Sequence, residues 1–315
     1  MEGKELYLQQ KDVYEGFCKF LKWQIDSLCK ENKIQLSFPI EYRVKTWESI
    51  QGKLVTHENI CDWKNLNDIA GIRVVTVFHE DVKRLEELLS AQYEIIKEED
   101  KVSAQNENEF GYQSLHMDIR LKADLKQTAG IKPYVGLNAE IQVRTAAQHI
   151  WAVASHELQY KTEDSTPKSL RRAVNRLSAL LELVDVEFSR LNDEKSAYVE
   201  KIKKDVKEEL TINATTLEVL LDKCYPLQNK QEGEPYSEMV EQLKALGITE
   251  YDKLHNIISE TMEEVLKEEK EVSQTMGKHF YSHIGLLRTG ISIKYPDVQF
   301  GFDCVRQKKR VVWTR

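Results

Sequence analysis

The chain has 315 residues, of which 41% are hydrophobic and 31% are charged, and 45 basic against 52 acidic side chains give a net charge of -7. This composition supports a folded core and excludes a disordered chain and a generally basic nucleic-acid-binding protein, although not a local basic groove. The five cysteines are scattered and odd in number, which is not typical of a disulfide framework or a four-thiolate zinc site. Without an apolar run of about 18 residues or an apolar leader, the sequence predicts a soluble, cytoplasmic protein with no membrane partner.

The first 165 residues alternate between helical and strand-like patterns. Apolar side chains at helical spacing predict a helix over 5–31, and a nearly continuous apolar run predicts a buried strand over 69–78. The same periodicities predict a helix at 82–91, strands at 93–98, 117–122 and 137–144, and a helix at 146–161. The predicted fold class of this region is therefore α+β, with helices flanking a mixed β-sheet.

The remainder of the chain, 166–315, is predicted to be mainly helical. A turn-like cluster at 162–167 marks the predicted boundary between domains 1–165 and 166–315. Helices are predicted at 168–209, 214–224, 235–245, 251–272 and 275–289, followed by an extended tail. Residues 166–315 hold 24 basic and 25 acidic side chains, a balance that gives little support for strong RNA binding. We expect a homo-oligomer contact or a regulatory partner there; a ligand sensor, a built-in antitoxin and a tRNA platform are the alternatives.

A stretch rich in cations follows the first helix. A helix over 44–54 would place Lys45, Ser49 and Lys53 on one face, with two ammonium groups flanking a hydroxyl. Such a stripe suits a polyphosphate, because the ammonium groups neutralise its charge and the hydroxyl donates a hydrogen bond. Arg43, just before it, has a planar guanidinium that can stack on a base. A solvated helix face is the alternative, since exposed lysines at this spacing are common.

Two further blocks supply acids. Asp68 precedes the predicted buried strand, a position typical of a turn residue and also of a Mg²⁺ ligand. Arg73 lies inside that strand and either faces a site or pairs with a carboxylate such as Asp68 or Glu140. Period-two geometry places Glu140, Gln142 and Arg144 on one face of a later strand. Convergence of the two acids beside cations would hold Mg²⁺ over phosphates, whereas a simple solvated face is the alternative.

A glycine-tyrosine pair precedes the strand predicted at 117–122. Gly111 gives the backbone freedom to display Tyr112 at a loop tip, where its ring could stack on a nucleobase. His116, four residues further on, could contact a phosphate or a hydroxyl. For a single Tyr or His, packing in the core is the alternative.

In order and spacing, these blocks resemble the synthetase domain of the RelA/SpoT family over about residues 40–161. The shared motifs are RxKxxxSxxxK from Arg43, DIAGIRV from Asp68, GYQSLH from Gly111 and AEIQVRTxxQHxWAxxSHxLxYK from Ala139. The resemblance implies a pyrophosphokinase fold related to nucleotidyltransferases. It also implies an ATP:nucleotide 3′-pyrophosphotransferase that moves the β,γ-pyrophosphate of ATP to the 3′-hydroxyl of GDP or GTP. The products would be AMP and (p)ppGpp, the alarmone of the stringent response.

The resemblance assigns roles by motif position. The residues that would sandwich adenine are Arg43 and Arg73, and those that would hold the ATP phosphates are Lys45, Ser49 and Lys53. The Mg²⁺ ligands and catalytic acids would be Asp68 and Glu140, the latter also placed to take the 3′-hydroxyl proton. The acceptor would be bound by Tyr112, His116, Gln142 and Arg144. The end of the last motif is matched by His156 and Lys161.

Two departures from the family qualify these expectations. The chain has no His-Asp dipeptide, the signature of the hydrolase domain of bifunctional members, so we expect no alarmone hydrolysis. Long synthetases usually place Lys and Asn before the Gly-Tyr pair, whereas the run 105–110 here is acidic and lacks Lys. That run would repel a GDP diphosphate. An adenosine nucleotide acceptor, a toxin that modifies the 3′ CCA end of tRNA, and an inactive sensing or binding module are therefore the alternatives.

Overall fold

The structure is a computed structural model that describes residues 2–56, 62–100, 114–128, 130–157, 167–204, 211–276, 281–298 and 300. The chain divides into two compact units between Asp193 and Glu194. The first unit combines helices with a five-stranded sheet, and the second is helical. No described helix is both long enough and apolar enough to cross a membrane. The predicted boundary at 165/166 lies outside the described residues and stays a prediction.

The first helix, α1, spans Glu2–Glu31 and confirms the helix predicted over 5–31. Its apolar side chains recur at helical spacing and pack into the core of the first unit: Tyr7, Tyr14, Phe17, Leu21 and Ile25. Complete burial of an aliphatic or aromatic side chain contributes about 1.5–3 kcal/mol, so this stripe determines which face of α1 lies on the sheet.

The sheet is mixed, as predicted. Its strands are β1 (Glu41–Val44), β2 (Ala70–Thr76), β3 (Glu94–Asp100), β4 (Leu115–Arg120) and β5 (Asn138–Thr145). They lie in the order β1-β2-β5-β4-β3, with β2 and β5 parallel and every other neighbouring pair antiparallel. The flanking helices of this part of the chain are α2 (Trp47–Thr56), α3 (His79–Gln92) and α4 (Ala146–Glu157).

The two faces of the sheet differ in polarity because side chains alternate along each strand. Ile72, Val74, Met117, Ile141 and Val143 point to the apolar core and are almost completely buried. The residues between them point to the other face and are mostly charged. A slip of one residue would bury those charges and expose the aliphatic groups, so the core fixes the register of the polar face.

The helix predicted over 44–54 is wrong at its start. Residues 41–44 pair with β2 as a strand, and the Lys45 backbone N–H donates to the Ile69 carbonyl oxygen at 2.8 Å. Helix α2 begins only at Trp47, where the Thr46 hydroxyl accepts the Ser49 backbone N–H at 3.3 Å. Lys45 therefore lies between a strand and a helix, and it does not share a helix face with Ser49 and Lys53.

The described residues after 167 form five more α-helices: α5 (Lys168–Lys204), α6 (Ala214–Cys224), α7 (Tyr236–Ala245), α8 (Tyr251–Met276) and α9 (His283–Lys294). Gly247 follows α7 with φ +69°, which confirms it as the predicted end of that helix. The helix predicted over 275–289 has the wrong bounds, because α8 extends to Met276 and the Ser282 hydroxyl caps a new helix that runs from 283 to 294. The second unit has its own apolar core, which includes Leu217, Leu220, Leu254, Ile258 and Leu287.

Candidate active site

The strand register brings the predicted polar residues together on one face of the sheet. Gly71 of β2 lies opposite Arg43 of β1 on one side and opposite Glu140 of β5 on the other. Glu140 in turn lies opposite Asp118 of β4. The next row contains Glu41, Arg73, Gln142 and His116 in the same strand order. Period-two geometry thus places Glu140 and Gln142 on one face, as predicted.

Asp68 lies in the turn before β2 and binds both predicted lysines through one oxygen. Its Oδ2 accepts a hydrogen bond from Lys53 Nζ at 2.5 Å and another from Lys45 Nζ. Its Oδ1 is buried and has no hydrogen-bond partner among the described residues. Burial opposes ionisation of Asp68, but the two lysine hydrogen bonds outweigh it and lower its pKa. The result is a carboxylate with one oxygen bound to cations and one oxygen left for a ligand.

The two lysines converge although they do not share a helix face. Lys53 lies on α2, whereas the position of Lys45 follows from its backbone contact with the residue after Asp68. The Lys45 side chain is 12% exposed, and its pKa is lowered by burial, with Lys53 adding repulsion and Asp68 opposing both. Ser49 is exposed near the start of α2, with its Oγ 3.1 Å from Thr46 Oγ1. The cations predicted for phosphate therefore meet at Asp68.

Glu140 is held differently, by an imidazole and an amide. Its Oε1 is 2.9 Å from His116 Nδ1, and its Oε2 accepts from Gln142 Nε2 at 2.9 Å. His116 Nε2 is 3.0 Å from Ser114 Oγ, so a proton on Nδ1 lets His116 donate to Glu140 and accept from the serine hydroxyl. Burial raises the pKa of Glu140, but the His116 and Gln142 contacts outweigh it and the net shift is downward. Glu140 is therefore ionised at neutral pH and oriented at both oxygens.

Arg144 continues this hydrogen-bonded row. Its Nη2 donates to Gln142 Oε1 at 2.6 Å, so Gln142 connects Arg144 with Glu140. Arg144 is only 5% exposed, and its Nε has no partner among the described residues. Burial and repulsion from Arg73 lower its pKa to about 10, a value at which it is still charged at neutral pH. A buried cation with an unused donor favours binding of an anion.

The two arginines predicted to sandwich adenine lie on neighbouring strands. A Cβ added to Gly71 would lie 3.4 Å from Arg43 Cγ, so the glycine leaves room for Arg43 to lie close to the sheet. Arg73 Nη1 donates to Glu41 Oε2 at 3.0 Å. Of the alternatives predicted for Arg73, a position facing a site agrees with the pocket described below, whereas Asp68 and Glu140 are the wrong partners, because β1 places Glu41 directly opposite Arg73. An open pocket lies between the arginines and reaches Glu140 and Gln142.

Asp118 is, like Glu41, an acid on this face that our prediction did not include. It lies opposite Glu140, and its Oδ2 accepts from Asn67 Nδ2 at 2.9 Å. Burial, together with the charges of Glu140 and Asp68, raises its pKa, while the Asn67 hydrogen bond partly opposes the rise. Side chains alternate along the strand predicted over 117–122, so Asp118 lies on the same face as His116. This alternation is the sequence signal that could have identified Asp118 as a site residue.

His149 on α4 is a second missed residue. Its pKa is lowered by burial first and then by the charges of Arg144 and Arg73. Its ring contacts Phe38 at a centroid distance of 5.4 Å, and its Nδ1 is buried without a partner among the described residues. Alternation within the strand could not reveal it, since it lies on the following helix.

Some of the predicted site features lie in parts of the chain that the structure does not describe. Tyr112, Lys161 and the acidic run 105–110 lie outside the described residues. His156 is exposed in the last turn of α4, with its Nδ1 3.9 Å from Glu157 Oε1. Within the described ranges, no three His, Cys, Asp or Glu side chains form a group that could hold a metal by themselves. A cation at Asp68 and Glu140 would therefore need further oxygens from a substrate or from water.

Comparison with known proteins gives a consistent result. A family model described as a region found in RelA / SpoT proteins matches residues 42–165. The chain is 31% identical to GTP pyrophosphokinase YwaC of Bacillus subtilis over 158 residues, 47% of this chain and 71% of that protein. It is 30% identical to GTP pyrophosphokinase YjbM of the same organism over 166 residues, 50% of this chain and 74% of that protein.

A solved structure supports the fold assignment. A GTP pyrophosphokinase family protein from Streptococcus pneumoniae aligns with a TM-score of 0.50 at 27% identity, covering 62% of this chain and 94% of that one. The helical region beyond the synthetase domain is an addition to this fold. The chain belongs to the RelA/SpoT family, and its synthetase domain is of the small alarmone synthetase type.

Proposed function

We propose that the protein is a Mg²⁺-dependent pyrophosphokinase that transfers the β,γ-pyrophosphate of ATP to the 3′-hydroxyl of GDP or GTP. The relatives above are named GTP pyrophosphokinases, which supports the reaction class. The observation that carries the proposal is the pair of ionised acids on one face, Asp68 beside two lysines and Glu140 beside His116. Phosphoryl-type transfer depends mainly on positioning and charge stabilisation, and this face offers both.

In this reaction the acceptor O3′ forms a bond to the β-phosphorus, and the bond from that phosphorus to the α,β-bridging oxygen breaks. AMP leaves with that oxygen, and the 3′-hydroxyl proton passes to Glu140. Two contacts fix the orientation of this carboxylate, so its free lone pairs can face a hydroxyl group that binds beside it. Lys45 and Lys53 would exchange some of their hydrogen bonds to Asp68 for contacts with the negatively charged phosphates.

The nucleotide base would lie between the arginines of the open pocket. Arg43 lies over Gly71 and Arg73 is fixed by Glu41, so each guanidinium has a defined position from which to stack on adenine. Arg144 and Gln142 would contact the acceptor from the far end of the same row, where Arg144 Nε is unused. Tyr112 is proposed as the stacking partner of the acceptor base from its motif position alone.

The donor atoms present fit Mg²⁺. Asp68 Oδ1 is buried without a partner among the described residues, and Glu140 lies opposite Gly71, which follows Asp68 by three residues. Mg²⁺ prefers one or two carboxylates together with substrate phosphates, which agrees with a site that lacks a third protein ligand. When bound by Asp68 and Glu140, the ion would neutralise part of the phosphate charge.

The test is transfer of label from γ-labelled ATP to separate acceptors in the presence of Mg²⁺. We expect labelled products with GDP and with GTP, and one AMP for each product. Label on deacylated tRNA alone, or on an adenosine nucleotide alone, would overturn the acceptor assignment and leave the transfer chemistry standing. Absence of label on every acceptor, with intact folding by circular dichroism, would instead favour a sensing or binding module.

A further inference from the structure

Asp118 is an acid of the polar sheet face that the reaction described above does not use. It is half-buried on β4, directly opposite Glu140 of β5. Side chains that face each other across antiparallel strands have Cβ atoms about 4.5–5.5 Å apart. Asn67 binds Asp118 Oδ2 at 2.9 Å, whereas Asp118 Oδ1 accepts no hydrogen bond from a described residue. An acceptor oxygen beside the proposed general base is therefore available to a substrate.

A chain of hydrogen bonds fixes the direction of this carboxylate. Arg120 Nε donates to Asn138 Oδ1 at 3.0 Å, and Asn138 Nδ2 donates to Asn67 Oδ1 at 2.7 Å. The Asn67 amide, held in this way, uses its Nδ2 to bind Asp118 Oδ2. A carboxylate that is held at one oxygen presents the other oxygen in a defined direction, which is the condition for precise recognition of a substrate group.

The strand order determines which substrate reaches Asp118. ATP is proposed to lie over β1 and β2, which carry Arg43 and Arg73, and beside Asp68 in the turn before β2. Strand β5 lies between β2 and β4, so Glu140 separates this side of the face from Asp118. The substrate that approaches Glu140 from the β4 side is therefore the acceptor.

The acceptor carries a hydroxyl group next to the one that reacts. In a ribonucleotide the 2′- and 3′-hydroxyls lie on adjacent carbons, so a ribose with its O3′ beside Glu140 brings its O2′ to a neighbouring position. Across the strands, the neighbours of Glu140 are Gly71, which has no side chain, and Asp118. A phosphate would be repelled by the charges of Asp118 and Glu140, whereas a neutral hydroxyl can donate to a carboxylate.

We propose, on the basis of the function given above, that Asp118 Oδ1 accepts a hydrogen bond from the 2′-hydroxyl of the acceptor. Glu140, which His116 and Gln142 orient, then takes the proton of the 3′-hydroxyl, and no bond is made or broken at O2′. A site built to bind a hydroxyl discriminates against an analogue that lacks it, because the polar group of the protein is left unpaired. Asp118 thus selects a ribonucleotide over a 2′-deoxyribonucleotide.

Initial rates with GDP and with 2′-deoxy-GDP as sole acceptors test the proposal. Both have a 3′-hydroxyl, and saturating Mg²⁺ removes any effect of the Asp118 charge on binding of the ion. We expect the wild type to prefer GDP by about 10- to 100-fold in kcat/KM, as for a hydrogen bond to a charged group. Asp118→Ala should lose most of this preference, through a lower kcat/KM with GDP and little change with 2′-deoxy-GDP, while KM for ATP stays at the wild-type value.

Two further variants make the result specific. Asp118→Asn keeps a polar group that can bind both Asn67 and a hydroxyl, so it should fold like the wild type and show an intermediate preference. Asp124→Ala removes an exposed acid after β4 and should keep the full wild-type preference.

The outcomes separate this proposal from the function on which it rests. Equal use of the two acceptors by the wild type, or an equal loss of activity with both acceptors in Asp118→Ala, would overturn the role of Asp118 and leave the pyrophosphate transfer standing. Absence of transfer to either nucleotide by the folded wild type would overturn the proposed function, and the role of Asp118 with it.

Discussion

Two acids of the polar sheet face, Asp68 and Glu140, differ from Glu234 of the helical unit in the kind of partner they have. Asp68 and Glu140 accept hydrogen bonds from side chains, and Asp68 keeps one buried oxygen without a partner among the described residues. Glu234, in the second unit, accepts the backbone N–H groups of His283 and Ile284 and thereby closes the start of α9. An acid with side-chain partners can exchange them for a ligand without loss of secondary structure, whereas an acid that caps a helix cannot.

Removal of a charge from the sheet face should give the largest effect. Glu140→Gln and Asp68→Asn should each lower kcat/KM for pyrophosphate transfer by about 10²–10³ or more, because the acceptor proton or the phosphate charge loses its partner. Initial rates of AMP formation measure this. Glu48→Gln, an exposed acid on α2, is the control and should stay near wild type. A Glu140→Gln enzyme that keeps more than a tenth of the wild-type activity would contradict the catalytic role given to Glu140.

Asp185 on α5 is a buried acid of a further kind, and the pH dependence of protein stability tests its role. Burial and the nearby charge of Glu80 raise the pKa of Asp185 from 3.8 to about 7. As pH rises, the unfolded chain ionises first, so the stability from protonated Asp185 is full below about pH 4 and is lost as pH approaches 7. From this shift in pKa, we expect the free energy of unfolding of the wild type to fall by roughly 2–4 kcal/mol over this pH range.

Asp185→Asn should remove most of that pH dependence, while its side-chain oxygen still accepts from the Thr145 hydroxyl. Thermal unfolding followed by circular dichroism at several pH values measures the difference. Glu182→Gln, an exposed acid on the same helix, should leave the wild-type profile unchanged. An identical pH profile for Asp185→Asn and the wild type would show that this carboxyl does not titrate on unfolding.

In the helical unit, Glu234→Ala should change stability and leave transfer intact. The variant loses hydrogen bonds from the backbone N–H groups of Gln231, His283 and Ile284, at a cost of about 1–3 kcal/mol. Urea unfolding gives the stability and the AMP assay gives the activity. Glu232→Ala, an exposed neighbour, is the control. A Glu234→Ala enzyme with wild-type stability and reduced transfer would contradict the structural role given to Glu234.

The smallest effect is expected at Asp118. Asp118→Asn keeps an acceptor for Asn67 but removes one negative charge beside Glu140 and Asp68. The site would lose about 1 kcal/mol of attraction between this charge and Mg²⁺. The Mg²⁺ concentration that gives half the maximal rate should therefore rise about fivefold, while kcat at saturating Mg²⁺ stays near wild type. Asp124→Asn, exposed after β4, is the control. A fall in kcat as large as that of Glu140→Gln would instead make Asp118 a participant in the chemistry.

The sequence predicted the parts of this site that depend on local periodicity. Alternation along β5 placed Glu140 and Gln142 on one face, and the register with β2 and β4 confirms it. The helix α1 and the mixed sheet were predicted for the same reason, since their apolar residues recur at fixed spacing. The roles given to these residues rest on motif order and stay predictions until the assays above are done.

Contacts between distant segments could not be predicted in this way. Lys45 was assigned to a helix because local spacing cannot show that residues 41–44 pair with a strand that begins at Ala70. The same missing strand concealed Glu41 as the partner of Arg73. Asp118 was on the correct face but belongs to no motif, so its proximity to Glu140 appeared only with the register of β4 and β5.

The most direct test of the central claim is a stoichiometric assay of the purified protein with ATP, Mg²⁺ and GDP or GTP. Nucleotides separated by ion exchange should show one AMP for each acceptor that gains a diphosphate at its 3′-hydroxyl, and Glu140→Gln should lower the formation of both products together and to the same extent. Formation of ADP in place of AMP, or a Glu140→Gln variant that makes both products at more than about a tenth of the wild-type rate, would contradict the account.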